Sequence, residues 1–232
     1  MKNKIILILI IIINLIFLSR ENCVLAQQSI INLPTPQVLK PGKYALVAKE
    51  AFRPYKKDWY SYQQAPFIIF GIPYAELQIS PPLLIKNGET VPQVNLAIKS
   101  TLNITKTTTF TGTYKTFIDL NEQRTPFNLT YLTFAQEVPK INTRFTSGIY
   151  LANQKDYLPN KVGAALGYEW SIKPEKLMLV ADWQSGTESY TLLGSGIKYF
   201  PTPSSIITLG TLVPNNRNSK FAFYMSYIKY MN

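Results

Sequence analysis

Apolar and polar residues alternate with a period of two along most of the chain after residue 67. In the run 93–104, one face collects aliphatic residues and the other collects polar ones: Val94, Leu96, Ile98, Leu102 and Ile104 against Gln93, Asn95, Lys99, Thr101 and Asn103. The pattern recurs in 107–118, 141–151, 162–170 and 176–184. Such alternation is typical of a strand with two unlike faces, whereas an amphipathic helix repeats every 3.6 residues. The sequence therefore predicts an all-β protein.

The strand count follows from runs of about ten β-prone residues that are separated by turn residues. Ten strands are predicted after residue 66: 67–79, 93–104, 107–118, 126–137, 141–152, 161–170, 176–184, 189–199, 204–213 and 220–230. A further hairpin in 43–66 would raise the count to twelve. Pro73 interrupts the first run, and because proline lacks an amide hydrogen we expect a bulge or a strand end there.

Two architectures produce this pattern, a soluble β-sandwich and an outer-membrane β-barrel. Three features favour the barrel. The runs are long enough for tilted membrane crossings, whereas strands of soluble proteins are commonly about five or six residues long. Glycine and alanine are frequent on the polar face, which suits a crowded lumen. Aromatic residues near predicted strand ends suit the girdles of such barrels: Tyr168, Trp170, Trp183 and Tyr199. We predict an antiparallel up-and-down transmembrane β-barrel of 10–12 strands.

The lengths of the connections support this choice. If the C-terminus lies on the periplasmic side, the periplasmic connections are short: 200–203, 172–175, 138–140 and 105–106. The extracellular connections are mostly longer and more polar: 214–219, 185–188, 153–160, 119–126 and 80–92. Short and long connections alternate in outer-membrane barrels, and a sandwich has no reason to follow that rule.

The N-terminus predicts export. Basic residues precede an apolar run, 5–18, that is shorter than the roughly 20 residues a spanning helix needs, and Ala26 fits a signal-peptidase cut. A membrane anchor and a lipoprotein acylated at Cys23 are the alternatives. The predicted organisation is a signal peptide in 1–26, a leader with a possible first hairpin in 27–66, and a barrel in 67–232. Residues 27–42, polar and rich in proline, are predicted to be a flexible leader.

Charge and composition argue against several classes of function. The formal net charge is +11, but the basic residues are scattered singly, which argues against a nucleic-acid partner. Outer-membrane lipid and the phosphates of lipopolysaccharide are the expected partners. The chain has no histidine, the commonest general base and metal ligand. We therefore expect no enzymatic activity, no metal site and no cofactor.

Charged residues on the predicted lumen face are the candidate functional residues: Lys99, Lys115, Arg144, Glu169, Asp182 and Lys198. They could form a mixed-charge lining that selects small polar or anionic solutes. Alternatively, they could pair with one another and plug a narrow barrel. Both interpretations are open at this point.

The C-terminal half contains the segments ADWQSG at 181–186, LGSGIKY at 193–199, TLG at 208–210 and VPN at 213–215. These, with FGIPYAELQI at 70–79 and VNLAIK at 94–99, resemble bacterial outer-membrane barrels of the MetA-pathway phenol-degradation family. The resemblance covers about 67–232. It implies a membrane barrel with a transport or channel role, and it supplies no catalytic residues.

The sequence thus predicts a protein of the bacterial outer membrane that acts as a narrow channel or transport component for small solutes. The alternative is a non-conducting barrel, or a secreted β-sandwich, that serves as a structural or binding surface protein.

Overall fold

A computed structural model describes residues 33–53, 60–80, 84–86, 89–91, 93–120, 126–153, 162–186, 192–215 and 221–231. The predicted signal peptide, with its alternatives of an anchor or an acylated Cys23, lies outside these residues. Within them, no helix has the length and apolar character to cross a membrane.

Fourteen strands form in the described part of the chain. They are β1 (Tyr44–Arg53), β2 (Tyr60–Ile72), β3 (Ala75–Ser80), β4 (Leu84–Lys86), β5 (Glu89–Val91), β6 (Gln93–Asn103), β7 (Thr108–Asp119), β8 (Phe127–Val138), β9 (Thr143–Ala152), β10 (Val162–Lys173), β11 (Leu177–Gln184), β12 (Leu192–Thr202), β13 (Ser205–Pro214) and β14 (Ala222–Met231). One 3₁₀ turn, Pro139–Ile141, precedes β9.

Twelve of these strands close into a barrel in which each strand pairs antiparallel with its neighbours in the chain. The ring closes where β1 pairs with β14, from Tyr44 opposite Met231 to Phe52 opposite Phe223. The short strands β4 and β5 form a hairpin that extends the sheet beside β2. The predicted all-β, antiparallel up-and-down barrel is therefore confirmed, with twelve strands.

The first predicted strand, 67–79, is wrong as a single element. The chain reverses at Pro73 and Tyr74, and Tyr74 has a left-handed φ of 64°. Proline suits a turn because it has no amide hydrogen to give to the ladder. The expected hairpin in 43–66 exists as β1 and the first half of β2, so the barrel begins at Tyr44 and not at residue 67.

The two ends of the barrel differ in their connections. At the end where β1 begins and β14 finishes, which we call the turn end, the connections are short: 73–74, 104–107, 139–142, 174–176 and 203–204. At the opposite end, the loop end, they are longer: 54–59, 81–92, 120–126, 153–161, 185–191 and 215–221. The predicted alternation is confirmed, although most loop-end residues lie outside the described part.

The two surfaces of the barrel have opposite character. The outer surface exposes large apolar side chains along most strands: Ile68, Phe70, Leu77, Ile79, Leu96, Ile98, Phe134, Phe145, Ile149, Leu166, Leu193, Ile197 and Leu209 among them. The buried residues include many polar and charged ones: Glu76, Asn95, Lys99, Arg144, Glu169, Asp182, Gln184 and Lys198 among them. Soluble proteins place these classes the other way round.

Three of the four aromatic residues predicted near strand ends lie there. Trp170 and Tyr199 are exposed on the outer surface towards the turn end. Trp183 lies near the loop end, where its indole N–H donates to Asn215 Oδ1 at 3.2 Å. Tyr168 instead lies near the middle of β10 and packs against Phe145.

Candidate functional site: the barrel lumen and the segment inside it

Residues 33–39, which we call the lumen segment, lie inside the barrel ahead of its first strand. Leu33 and Thr35 have no solvent exposure, and Leu39 is also buried. The predicted flexible leader is therefore wrong for these residues, while 27–32 lie outside the described part. A ring of twelve strands is wider than the eight-stranded barrels that side chains alone can fill, so it has room for an extended chain.

Two carboxylates fix the direction of the lumen segment. The backbone N–H of Leu33 donates to Asp182 Oδ2 at 2.9 Å, towards the loop end. The backbone N–H of Leu39 donates to Glu76 Oε2 at 3.0 Å, towards the turn end. Six residues of extended chain span about 20 Å, so the lumen segment runs through most of the barrel's length from the loop end to the turn end.

Each end of the lumen segment packs into an apolar cluster. Leu33 joins a cluster towards the loop end that contains Phe127, Tyr131, Tyr150, Ala152, Ala165, Val180 and Tyr224. Leu39 joins a cluster towards the turn end that contains Ala45, Val47, Phe67, Ile69, Phe200, Ile206, Ile228 and Tyr230. Burying a leucine contributes about 1.5–3 kcal/mol, so both contacts favour the segment's place inside the barrel.

A tight turn joins the lumen segment to β1. Gly42 has a φ of 78°, a left-handed conformation that glycine adopts readily. The N–H of Gly42 donates to the carbonyl oxygen of Gly71 at 3.0 Å. The N–H of Gly71 donates to the carbonyl oxygen of Lys43 at 2.8 Å. A Cβ atom on Gly71 would lie 2.0 Å from the carbonyl oxygen of Lys40. Glycine at position 71 therefore allows this close approach.

Replacing Gly71 by alanine should displace the turn and weaken both of its hydrogen bonds. We expect the free energy of unfolding to fall by about 1–3 kcal/mol, measured by urea titration of the barrel in detergent. Hydrogen exchange at the amides of Gly42 and Gly71 should also accelerate. The matched control is Gly112→Ala, because a Cβ atom there would meet nothing nearer than Leu132 Cδ2 at 3.9 Å. Equal effects of the two substitutions would contradict the proposed role of Gly71.

The structure brings three of the predicted site residues together from β9, β10 and β12. Glu169 on β10 accepts a hydrogen bond from Arg144 Nε on β9, with 2.6 Å between Nε and Oε2. Its Oε1 lies 3.5 Å from Lys198 Nζ on β12. Arg144 also lies 3.7 Å from Glu137 Oε1, whose side chain is half exposed at the turn end. One buried carboxylate thus lies between two buried cations.

Lys99 and Asp182 hold the lumen segment, together with Glu76, a residue the sequence analysis missed. Lys99 Nζ lies 2.9 Å from Glu76 Oε1 and donates to the carbonyl oxygen of Gln37. Glu76 lay in the run that was predicted as a single strand, so its face was not assigned. A strand predicted to begin after Pro73 would have had Leu77 and Ile79 on its apolar, outward face. Because successive side chains of a strand point to opposite faces, Glu76 would then have been assigned to the inner face.

Lys115 and the unpredicted Lys49 lie against aromatic rings. The ammonium of Lys115 lies 5.3 Å from the ring centroid of Tyr131, and that of Lys49 lies 5.3 Å from the ring centroid of Phe67. Such cation–π contacts contribute about 0.5–2 kcal/mol. Lys49 was missed because it lies in 43–66, where no strand faces were predicted.

All six predicted residues thus lie on the inner face, where ion pairs and the lumen segment occupy much of the interior. In the described residues, no group of three or more His, Cys, Asp and Glu side chains is placed to hold a metal ion. The sequence matches no protein-family model and no curated protein. The resemblance to the MetA-pathway barrels therefore stays a prediction.

Proposed function

We propose that this protein is an outer-membrane β-barrel and a narrow transport component for small solutes, which the lumen segment closes in the state described here. One observation carries the proposal: the barrel exposes apolar side chains on its outer surface and buries charged ones inside. That distribution suits lipid outside and a polar lumen within. Closure of the ring also pairs the backbone of the edge strands, as a hydrocarbon environment requires.

The proposed partners follow from the same surfaces. Lipid acyl chains would cover the apolar outer belt, and acidic headgroups and lipopolysaccharide phosphates suit the net positive charge of +11. Small solutes are the proposed cargo of the lumen. Neither a nucleic-acid partner nor an enzymatic activity forms part of the proposal. The resemblance to MetA-pathway barrels points the same way.

A second candidate is a barrel that conducts nothing and serves as a structural or binding surface. The occupied interior favours it, because Arg144, Glu169 and Lys198 form ion pairs on one part of the inner wall and the lumen segment runs through the barrel. The two candidates agree on the location in the membrane and differ in whether the lumen opens.

Location in the outer membrane has a direct test. Cell fractionation should recover the protein with outer membranes, and unheated samples should migrate differently from heated ones on a detergent gel, as folded barrels do. A processed chain that stays monomeric in water without detergent would overturn the proposal.

Transport should become visible when the lumen segment is removed. We expect the mature chain to be nearly silent in planar bilayers, and a variant lacking residues 30–39 to give discrete conductance steps. The deleted part from 33 onwards fills the lumen and supplies backbone partners to Asp182 and Glu76. The measurement is single-channel current in potassium chloride.

A double substitution tests the same prediction with less risk of misfolding than the deletion. Leu33→Ser with Leu39→Ser keeps the chain length and removes both apolar anchors, so it should conduct intermittently. Heat-modifiable migration shows whether each variant has folded. If both variants fold and neither conducts, the channel proposal fails and the non-conducting barrel stands.

A further inference from the structure

A small cavity lies between the lumen segment and the barrel wall. Its volume is about 30 Å³, and eight residues line it: Pro34, Lys49, Glu76, Gln78, Ala97, Lys99, Thr113 and Lys115. A cavity needs about 10–15 Å³ of space to hold one water molecule. The cavity therefore has room for a water molecule or a monatomic ion, and Pro34 of the lumen segment helps to close it.

Positive charge predominates around this cavity. Glu76 is the one carboxylate among the lining residues, and it is engaged by Lys99 and by the N–H of Leu39. Lys49 and Lys115 contact aromatic rings, and neither has an ion pair with a carboxylate in the described part of the chain. An ammonium group that leaves water without a counter-charge is strongly unfavourable.

The imbalance extends through the described interior of the barrel. Six cationic side chains in the described part of the barrel are buried or line this cavity, against three carboxylates: Lys49, Lys99, Lys115, Arg144, Lys198 and Lys229 against Glu76, Glu169 and Asp182. The carboxylates of Glu137 and Asp119 lie at the two rims. Around this cavity, the single described carboxylate of Glu76 therefore faces the three lysines Lys49, Lys99 and Lys115.

A neutral donor also lines the cavity. Thr113 is buried on the inner face of β7, and its hydroxyl has no hydrogen-bond partner among the described residues. A hydroxyl can donate one hydrogen bond, and a buried polar atom without a partner is unfavourable. An acceptor inside the cavity would lie among this hydroxyl and the side chains of Lys49 and Lys115, all of which line it.

We propose that this cavity is a binding site for a monatomic anion of the halide class, held by Lys49, Lys115 and the hydroxyl of Thr113. Negative charge would complement the ammonium groups of Lys49 and Lys115, and a cavity of this size suits a single small ion. The site depends on the interior of the closed barrel and not on membrane location or solute flux. It therefore goes beyond the proposed function and can fail independently of it.

Bromide is the probe, because its anomalous scattering identifies it directly. Crystals of the mature protein grown in detergent with sodium bromide should show an anomalous peak in this cavity, within hydrogen-bonding distance of Lys115 Nζ or Lys49 Nζ. In solution, bromide should raise the melting temperature relative to gluconate at equal ionic strength. We expect a rise of about 5–10 °C at about a hundredfold excess over Kd.

Matched variants separate this site from general effects of salt. Lys49→Met with Lys115→Met should abolish the bromide-dependent rise in melting temperature. Lys140→Met with Lys173→Met removes the same charge from exposed positions and should leave the rise unchanged. Wild-type crystals without a peak in the cavity would overturn the proposal, as would a double lumen variant that keeps the full response. If that variant does not fold, the wild-type crystals decide alone.

Discussion

Replacing Glu169 by glutamine is expected to lower the free energy of unfolding by about 3–5 kcal/mol, the usual effect of breaking a buried ion pair by removing one partner. Glu169 is almost fully buried and contacts both Arg144 and Lys198. A neutral amide in its place would remove the carboxylate that lies between these two buried cations. Urea unfolding in lipid vesicles, followed by tryptophan fluorescence, measures the loss.

Glu137→Gln is the matched control for this substitution. Glu137 also contacts Arg144, but at 3.7 Å and with 51% of its side chain exposed. Exposed ion pairs contribute about 0–1 kcal/mol, so this variant should unfold close to the wild type. Equal losses of unfolding free energy in the two variants would show that the burial of Glu169 does not strengthen its ion pairs with Arg144 and Lys198.

Replacing Leu209 by arginine on the outer surface should destabilise the barrel in a bilayer by about 2–4 kcal/mol, the cost of a cation near the bilayer midplane. Leu209 lies at the middle of β13, is 55% exposed, and pairs with Ile197 and Met225 on the neighbouring strands. In a soluble protein the same exposed substitution would change stability by only about 0.5 kcal/mol. Unfolding in phosphatidylcholine vesicles distinguishes the two environments.

Leu102→Arg tests the same substitution at the rim. Leu102 is 64% exposed but lies at the end of β6, beside the short turn 104–107. Near the interface the cost of arginine falls to about 0–1 kcal/mol. A depth-dependent difference between the two variants supports the membrane proposal, whereas two equally small effects would show that the outer surface does not face hydrocarbon.

Much of the barrel could be predicted from the sequence because strand faces follow a strict period of two. The run 93–104 became β6, with Asn95 and Lys99 buried and Leu96 and Ile98 exposed. The predicted turn 138–140 became the 3₁₀ turn Pro139–Ile141. The first strands were less predictable. Pro73 indicated a bulge or a strand end, and β2 does end there, but the turn is so short that the apolar residues on both sides resemble one strand.

The lumen segment could not be predicted, because its place depends on contacts distant in sequence. The residues 33–39 read LPTPQVL, with no periodicity and two prolines, and such composition is typical of a linker. The carboxylates that hold them belong to Glu76 and Asp182. These residues are 37 positions from Leu39 and 149 positions from Leu33 in the sequence. The six charged site residues were placed on the inner face by alternation alone, but their partners depended on strand order and register.

The path of the lumen segment has a consequence for how the molecule assembles. The segment lies within a ring that closes only when β1 pairs with β14, and it continues into β1 through Gly42. If the segment entered after closure, Leu33 would have to pass from the turn end, where Gly42 joins the segment to β1, through the closed ring to its apolar cluster near the loop end. We therefore expect the N-terminal residues to settle on the inner wall while the sheet is still open, and the zipping of its first strand against its last to be the final step of folding.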